Sequence, residues 1–297
     1  MNRRDFINKS AVALTLGSMI SHEVFAASTS KLNKGRIGIQ LYSVKEVLPN
    51  DFMGTLKKLS GMGYSSVELY GGSDSFFGHT LKEMKAIVNG LGMSISGMHL
   101  HTVASMLPED TRDPAWDLWK RCAEDLRSGG GTWAMQAGLP DVKSIDDLKR
   151  TAAHFNRIGE VCKKGGVKFA FHNHHYEFSK IDGVTILDYL LENTDPKIVF
   201  FQLDLGHAVN GGGDPVRYLR AYPGRFAIWH VSDFDAASRT YTDVGKGSVP
   251  YPALFDIANS SGLQTLTVEQ EKKADIFASC QVAFDYLKQF KWTKVVA

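Results

Sequence analysis

From residue 36 onward the chain alternates eight times between a short run rich in β-branched and aromatic residues and an amphipathic helical stretch. That alternation is hard to satisfy without a parallel sheet wrapped by helices. Strands are predicted over 36–44, 66–70, 94–101, 132–136, 168–178, 198–205, 226–232 and 266–270. Helices are predicted between them, over 52–60, 81–91, 115–127, 145–164, 186–192, 215–221, 253–259 and 274–290. Glycines within 61–63, 90–92, 129–131 and 165–166 and at 262 fall where helices must stop, and glycine takes the left-handed conformation of a helix C-terminal cap at least cost. Eight βα units with no break in composition close most simply into one (β/α)8 barrel over 36–297. The competing arrangement, an open doubly wound sheet, carries a glycine-rich phosphate loop after its first strand. Here that position reads Lys45-Glu46-Val47-Leu48-Pro49-Asn50, so a TIM-type α/β barrel in a single domain is expected.

The first 26 residues read as a leader rather than as part of the barrel. Arg3-Arg4-Asp5-Phe6-Ile7 is a twin-arginine pattern, residues 11–20 form an apolar core, and Val24-Phe25-Ala26 supplies a small-residue cleavage site. The apolar core is well short of the roughly 20 residues that span a bilayer, so export to the periplasm is expected, with no stable membrane insertion after cleavage. Residues 27–35 are then a short segment ahead of the barrel. The whole chain carries a net charge of +2, half of it in the leader, which leaves no basic footprint for nucleic acid. Cys122, Cys162 and Cys280 form no Cys-x-x-Cys pair and are expected to be buried thiols. An oligomer is compatible with the sequence.

In a barrel of this kind, chemistry sits where strands end, at the C-terminal rim. Strand two ends with Glu68 and strand three with His99 and His101. Strand four ends at Gln136, and strand five runs into His172-Asn173-His174-His175-Tyr176-Glu177. Strand six ends Asp204-Leu205-Gly206-His207, strand seven reaches His230, and strand eight reaches Glu269. So many carboxylates and imidazoles converging on one rim would be destabilising without a cation or substrate to neutralise them. Glu177, Asp204, His230 and Glu269 end four successive strands and can meet one ion, with His172, deeper in strand five, as the alternative to Glu177. Three carboxylates and one imidazole suit Mn²⁺ first, with Mg²⁺, Co²⁺ or Zn²⁺ as alternatives. Glu68, His99, His101, Gln136, His172, His174 and Lys246 are expected to shape the substrate pocket.

The run His-Asn-His-His-Tyr-Glu-Phe, followed by Gln-Leu-Asp-Leu-Gly-His-Ala, Trp-His-Val-Ser-Asp, Val-Gly-Lys-Gly and Val-Glu-Gln-Glu, resembles the xylose isomerase-like TIM-barrel superfamily of the sugar phosphate isomerase/epimerase type. The resemblance implies a metal held by an acid of strand five, the aspartate of strand six, the histidine of strand seven and the glutamate of strand eight. These positions correspond to Glu177, Asp204, His230 and Glu269. Many relatives carry a glutamate where His172 stands, and many have a lysine where this chain has Ser232. Endonuclease IV shares the barrel, but the Asp-x-His pair it needs after strand seven is missing, since Asp243 is followed by Val244 and Gly245.

A divalent ion flanked by two carboxylates points to removal of a proton beside a carbonyl, with Glu177 and Glu269 as the acid–base pair and His207 assisting. Sugar isomerisation or epimerisation through an enediolate is the leading expectation. Elimination of the C1 group from a 3-keto-glycoside is the alternative, favoured by the exported setting. A sugar-binding module, with Tyr42, Tyr70, Trp133 and Trp229 as stacking platforms, is the non-enzymatic alternative. The expected partner is a small sugar or glycoside.

Overall fold

The computed structural model describes residues 37–71, 76–100, 107–270 and 273–292. Residues 1–26, expected to form a twin-arginine leader, and His101 lie outside the described residues. Eight parallel strands close into a barrel: β1 (Ile37–Gln40), β2 (Ser66–Gly71), β3 (Ser94–Leu100), β4 (Trp133–Ala137), β5 (Lys168–His172), β6 (Val199–Asp204), β7 (Ile228–Val231) and β8 (Thr265–Val268). Each strand pairs with its sequence neighbour, and β8 returns to β1 through Ile37 opposite Leu266 and Ile39 opposite Val268. The fold is thus a TIM barrel in a single domain.

Two strands end at least four residues earlier than the sequence pattern suggests. β1 stops at Gln40 because the Gln40 side chain accepts the Tyr42 N–H and starts a 3-10 turn over Leu41–Val44. β5 stops at His172, and Tyr176–Phe178 forms a second 3-10 turn. Glu177 therefore sits on a turn five residues past the strand end, not at the end itself. His207 likewise lies on a helix, α6 (Leu205–Asn210), whose N-cap is Asp204, with Oδ1 accepting the His207 N–H at 2.8 Å. Predicted and observed helices otherwise coincide closely, as at α4 (Ile145–Gly165) and α7 (Pro215–Ala221).

Strand parity then divides the side chains between two layers. Odd-parity residues of β5, such as Phe169 and Phe171, pack outward against Phe155 of α4. Trp133, Met135, Ala170 and Ile228, with Ala227 just ahead of β7 and backed by Phe200, form a small apolar plug, with the Trp133 and Phe200 rings edge-on at 5.4 Å. The plug closes the barrel interior, so polar groups further along the same strands are held against a dry floor. Cys122, Cys162 and Cys280 are buried free thiols in the helical layer, as expected from their spacing. Among the described residues, no helix is long and apolar enough to cross a membrane.

Candidate metal centre and active site

Above the plug lies a layer of buried polar side chains centred on Glu68, which is 1% exposed. Its Oε1 accepts Gln40 Nε2 at 2.8 Å, His230 Nε2 at 2.6 Å and His99 Nε2 at 2.9 Å, while Oε2 accepts Gln202 Nε2 at 2.9 Å. Burial alone would raise the carboxyl's pKa, but the His230 and His99 imidazoles outweigh it and hold Glu68 below the usual carboxylate range. With both oxygens engaged beneath the cavity, Glu68 does not line the substrate pocket as its sequence position suggests. It acts as a floor that orients two histidines.

Orientation fixes which nitrogen each ring presents. Gln202 Oε1 engages His172 Nδ1 at 3.2 Å, which turns Nε2 of that ring towards Glu269 Oε2, 4.0 Å away. Glu68 takes His230 Nε2, which leaves His230 Nδ1 3.0 Å from Glu269 Oε2. Burial disfavours a charged His230, yet Glu68 on one edge and Glu269 on the other raise its pKa well above the ordinary imidazole value. Burial likewise opposes charge on Glu269, and the His230 imidazole reverses that effect and lowers its pKa. His230 thus carries a proton between two carboxylates.

His172, Asp204, His230 and Glu269 place ligand atoms within 4.8 Å of one another. Asp204 is held by Ser232 Oγ at 2.6 Å and the His207 N–H, both on Oδ1. Its Oδ2 is buried with no hydrogen-bond partner among the described residues. A buried carboxylate oxygen without a donor is costly, and a cation is the group that would satisfy it. The set of two imidazoles and two carboxylates fits a divalent ion on this observation. Gly206 is required here: a Cβ would lie 2.3 Å from Ser232 Oγ and break the clamp on Asp204.

Glu177, expected as the strand-five ligand, is not in this group. Its Oε2 accepts the His174 N–H at 2.9 Å, and its Oε1 is buried without a partner. Burial pushes its pKa up to about 8, against the backbone N–H bonds that favour the charged form. The physical reason is the early end of β5: the chain turns away after His172, leaving His172 on the inward face. His172 is the strand-five residue that joins the cluster.

A cavity of about 270 Å³, just under the ordinary range for ligand sites of about 300–1,000 Å³, opens over the cluster. Its walls are Tyr42, Tyr70, His99, Ala137, His172, His174, His207 and Glu269. Of the expected pocket residues, His99, His172 and His174 line this cavity, and so does His207, expected as an assisting catalytic group. Gln136 does not, because Met135 and Ala137 occupy the inward parity of β4; Gln136 Nε2 instead donates to Gly138 O at 3.1 Å. Lys246 is exposed and lies away from the cavity wall. The glycines beside it serve Asp233, whose Oδ2 accepts the Gly245 and Gly247 N–H groups at 2.9 and 3.0 Å. Trp133 and Trp229 are buried core residues, so only Tyr42 and Tyr70 of the four aromatics can meet a ligand.

Three contributors escape a reading of strand ends. Gln40 and Gln202 share the inward parity of Glu68 and Asp204, a signal the sequence does carry. Tyr241 does not announce itself: it sits on a hairpin formed by Asp233–Asp235 and Thr240–Thr242, and its Oη is hydrogen-bonded to His207 Nδ1.

With fold and geometry in place, the relatives are informative. The model of the xylose isomerase-like TIM barrel matches residues 56–293, and the chain belongs to that family. It is similar to the inosose dehydratase of Geobacillus kaustophilus (strain HTA426), 24% identical over 192 residues; the match covers 60% of this chain and 60% of the relative's length. Among solved structures, a sugar phosphate isomerase/epimerase from Parabacteroides distasonis ATCC 8503 is 29% identical with a TM-score of 0.77, over 86% of this chain and 94% of that one. The IolI protein, solved with a zinc atom, is 14% identical with a TM-score of 0.68, over 86% and 97%, a likeness of fold.

Proposed function

We propose that the chain is a divalent-metal-dependent enzyme that removes the proton beside a carbonyl of a small sugar, cyclic polyol ketone or 3-keto-glycoside, and that its reaction is an elimination. The observation that carries this reading is the cavity wall: Glu269 is its one carboxylate among the described residues, facing the imidazoles of His99, His172, His174 and His207. Epimerisation through two opposed carboxylates needs a second acid on that wall, and Glu177 is turned into the His174 backbone instead. One base and an opposed imidazole suit elimination, in which a base takes a C–H proton while an acid protonates a departing oxygen.

In this reading the Glu269 carboxylate takes the proton, and the C–H electron pair forms the new double bond as the bond to the β-oxygen breaks. His207, hydrogen-bonded to Tyr241, gives the departing oxygen its proton. His99 and His174 bind substrate hydroxyls, with Tyr42 and Tyr70 stacking on the ring. A divalent ion held by His172, Asp204, His230 and Glu269 would polarise the substrate carbonyl when bound. The inosose dehydratase relative supports elimination. Isomerase/epimerase chemistry is the second reading, supported by the Parabacteroides relative.

The test is incubation of Mn²⁺-loaded protein with inososes, 3-keto-glycosides and free ketoses in deuterated water, followed by NMR. Release of water or aglycone with an unsaturated keto product is expected. Deuterium at the carbon beside the carbonyl, with every C–O bond intact, would replace elimination by isomerisation or epimerisation. The twin-arginine leader supports export to the periplasm; intact-mass measurement of the periplasmic protein should show loss of residues 1–26, and an uncleaved cytoplasmic chain would refute it.

A further inference from the structure

Beside the mixed oxygen and nitrogen group, three imidazoles meet on the cavity wall. His172, His174 and His207 offer ligand atoms within 4.8 Å of one another, and no carboxylate belongs to the group. The rings come from separate pieces of backbone: the end of β5, the turn after it, and the first turns of α6. They meet edge to face, His172 and His174 at 5.0 Å and 87°, His174 and His207 at 5.0 Å and 63°, with a ring nitrogen of each within 4.8 Å of the others.

Each ring is fixed from outside the group. Gln202 engages His172 Nδ1, and Tyr241 engages His207 Nδ1 while accepting Asn210 Nδ2 at 3.2 Å. His174 lies flat on Tyr176, with centroids 5.5 Å apart and planes 8° from parallel, and Glu177 holds its backbone N–H. His174 Nδ1 is buried and has no hydrogen-bond partner among the described residues. Three oriented imidazoles with one buried nitrogen unsatisfied form a donor set of nitrogen alone. Such a set suits Ni²⁺, Cu²⁺ or Zn²⁺, whereas Mn²⁺ and Mg²⁺ favour oxygen.

We propose that His172, His174 and His207 form a second cation position, built of nitrogen only, which a borderline divalent ion occupies in competition with the Asp204, His230 and Glu269 position. His172 belongs to both groups and its Nδ1 is engaged by Gln202, so its remaining nitrogen serves one ion at a time and the two positions exclude each other. The identity of the ion then decides where it sits. Mn²⁺ takes the carboxylates, and Ni²⁺ takes the imidazoles that would otherwise meet substrate. This inference stands whether the reaction is an elimination or an isomerisation.

Calorimetric titration of the purified full chain with Ni²⁺ and with Mn²⁺ tests it, using the wild type, an Asp204→Asn/Glu269→Gln double variant and His174→Ala. The double variant should lose Mn²⁺ affinity by about 100-fold or more and keep Ni²⁺ within about threefold; His174→Ala should lose about tenfold or more in Ni²⁺ affinity and keep Mn²⁺ within about threefold, in line with the preference of each donor set. Parallel loss of both ions in the double variant, or unchanged Ni²⁺ affinity in His174→Ala, would overturn the proposal and leave the imidazoles as a substrate wall. Circular dichroism checks the fold of each variant. Should the double variant not fold, the ratio of Ni²⁺ to Mn²⁺ affinity in His174→Ala decides alone: a tenfold fall supports the second position, and an unchanged ratio rejects it.

Discussion

The two halves of the barrel spend the same residue types in opposite ways. Strands β1 to β4 bring Gln40, Glu68 and His99 inward, and strands β5 to β8 bring His172, Asp204, His230 and, just past β8, Glu269. In the first half every Glu68 oxygen meets a donor, four in all. In the second half Asp204 keeps a buried oxygen with none. A buried carboxylate that is fully paired is scaffolding, and one whose unpaired oxygen lies among other ligand atoms is placed to meet an ion. Asp204 meets both conditions, beside His172, His230 and Glu269, whereas Glu177 keeps an unpaired buried oxygen but lies outside that group.

The largest expected effect follows from the unsaturated half. Glu269→Gln removes the only carboxylate on the cavity wall among the described residues, and kcat should fall by about 10²–10⁴, the usual range for a general base, in steady-state assays with the substrate found by NMR. A loss under about tenfold would mean that the proton is taken elsewhere. Glu68→Gln should act through the ion instead, weakening Mn²⁺ binding by about 10–100-fold, as is typical of groups that orient a metal-bound histidine. A kcat effect at saturating Mn²⁺ equal to that of Glu269→Gln would erase the distinction between the halves.

Proton linkage sharpens the same contrast. Without metal, His230 holds a proton between Glu68 and Glu269, with its pKa raised well above 6.5. An ion can use His230 Nδ1 only by displacing that proton, so Mn²⁺ affinity should rise by about tenfold per pH unit below the raised pKa. Titrations in buffers of different ionisation enthalpy should show release of about one proton per ion at neutral pH. No proton release would mean that His230 is not a ligand.

The smallest effect concerns Glu177. Its pKa is raised from 4.5 to about 8 by burial, so between those values the folded chain keeps a proton that the unfolded chain has lost. Stability of the chelator-treated chain should therefore fall as pH rises across that window and level off above it. Urea midpoints at several pH values should show this slope in the wild type and a flatter one in Glu177→Gln. An equal slope in both would place the titrating group elsewhere.

Much of this was legible in the sequence. The βα alternation and the glycine stops give the barrel, and the strand ends give Asp204, His230 and Glu269 as neighbours. Three errors share a cause: side-chain direction depends on parity and on where a strand stops. Gln136 sits on the outward parity of β4, Glu177 sits on a turn that the apolar run of β5 conceals, and Glu68 points inward but lies beneath the cavity. Tyr241 reaches His207 from a hairpin with no periodic signal, so only the folded chain reveals it.

The central claim is that the unpaired oxygen of Asp204 marks a divalent-ion site. Titration of the wild type and Asp204→Asn with Mn²⁺, followed by the EPR signal of the unbound ion, tests it most directly. The wild type should bind one ion per chain, and Asp204→Asn, with an unchanged circular dichroism spectrum, should bind at least about 100-fold more weakly, as expected when a hard ion loses an anionic oxygen. Equal Mn²⁺ affinity in the two proteins would contradict the claim.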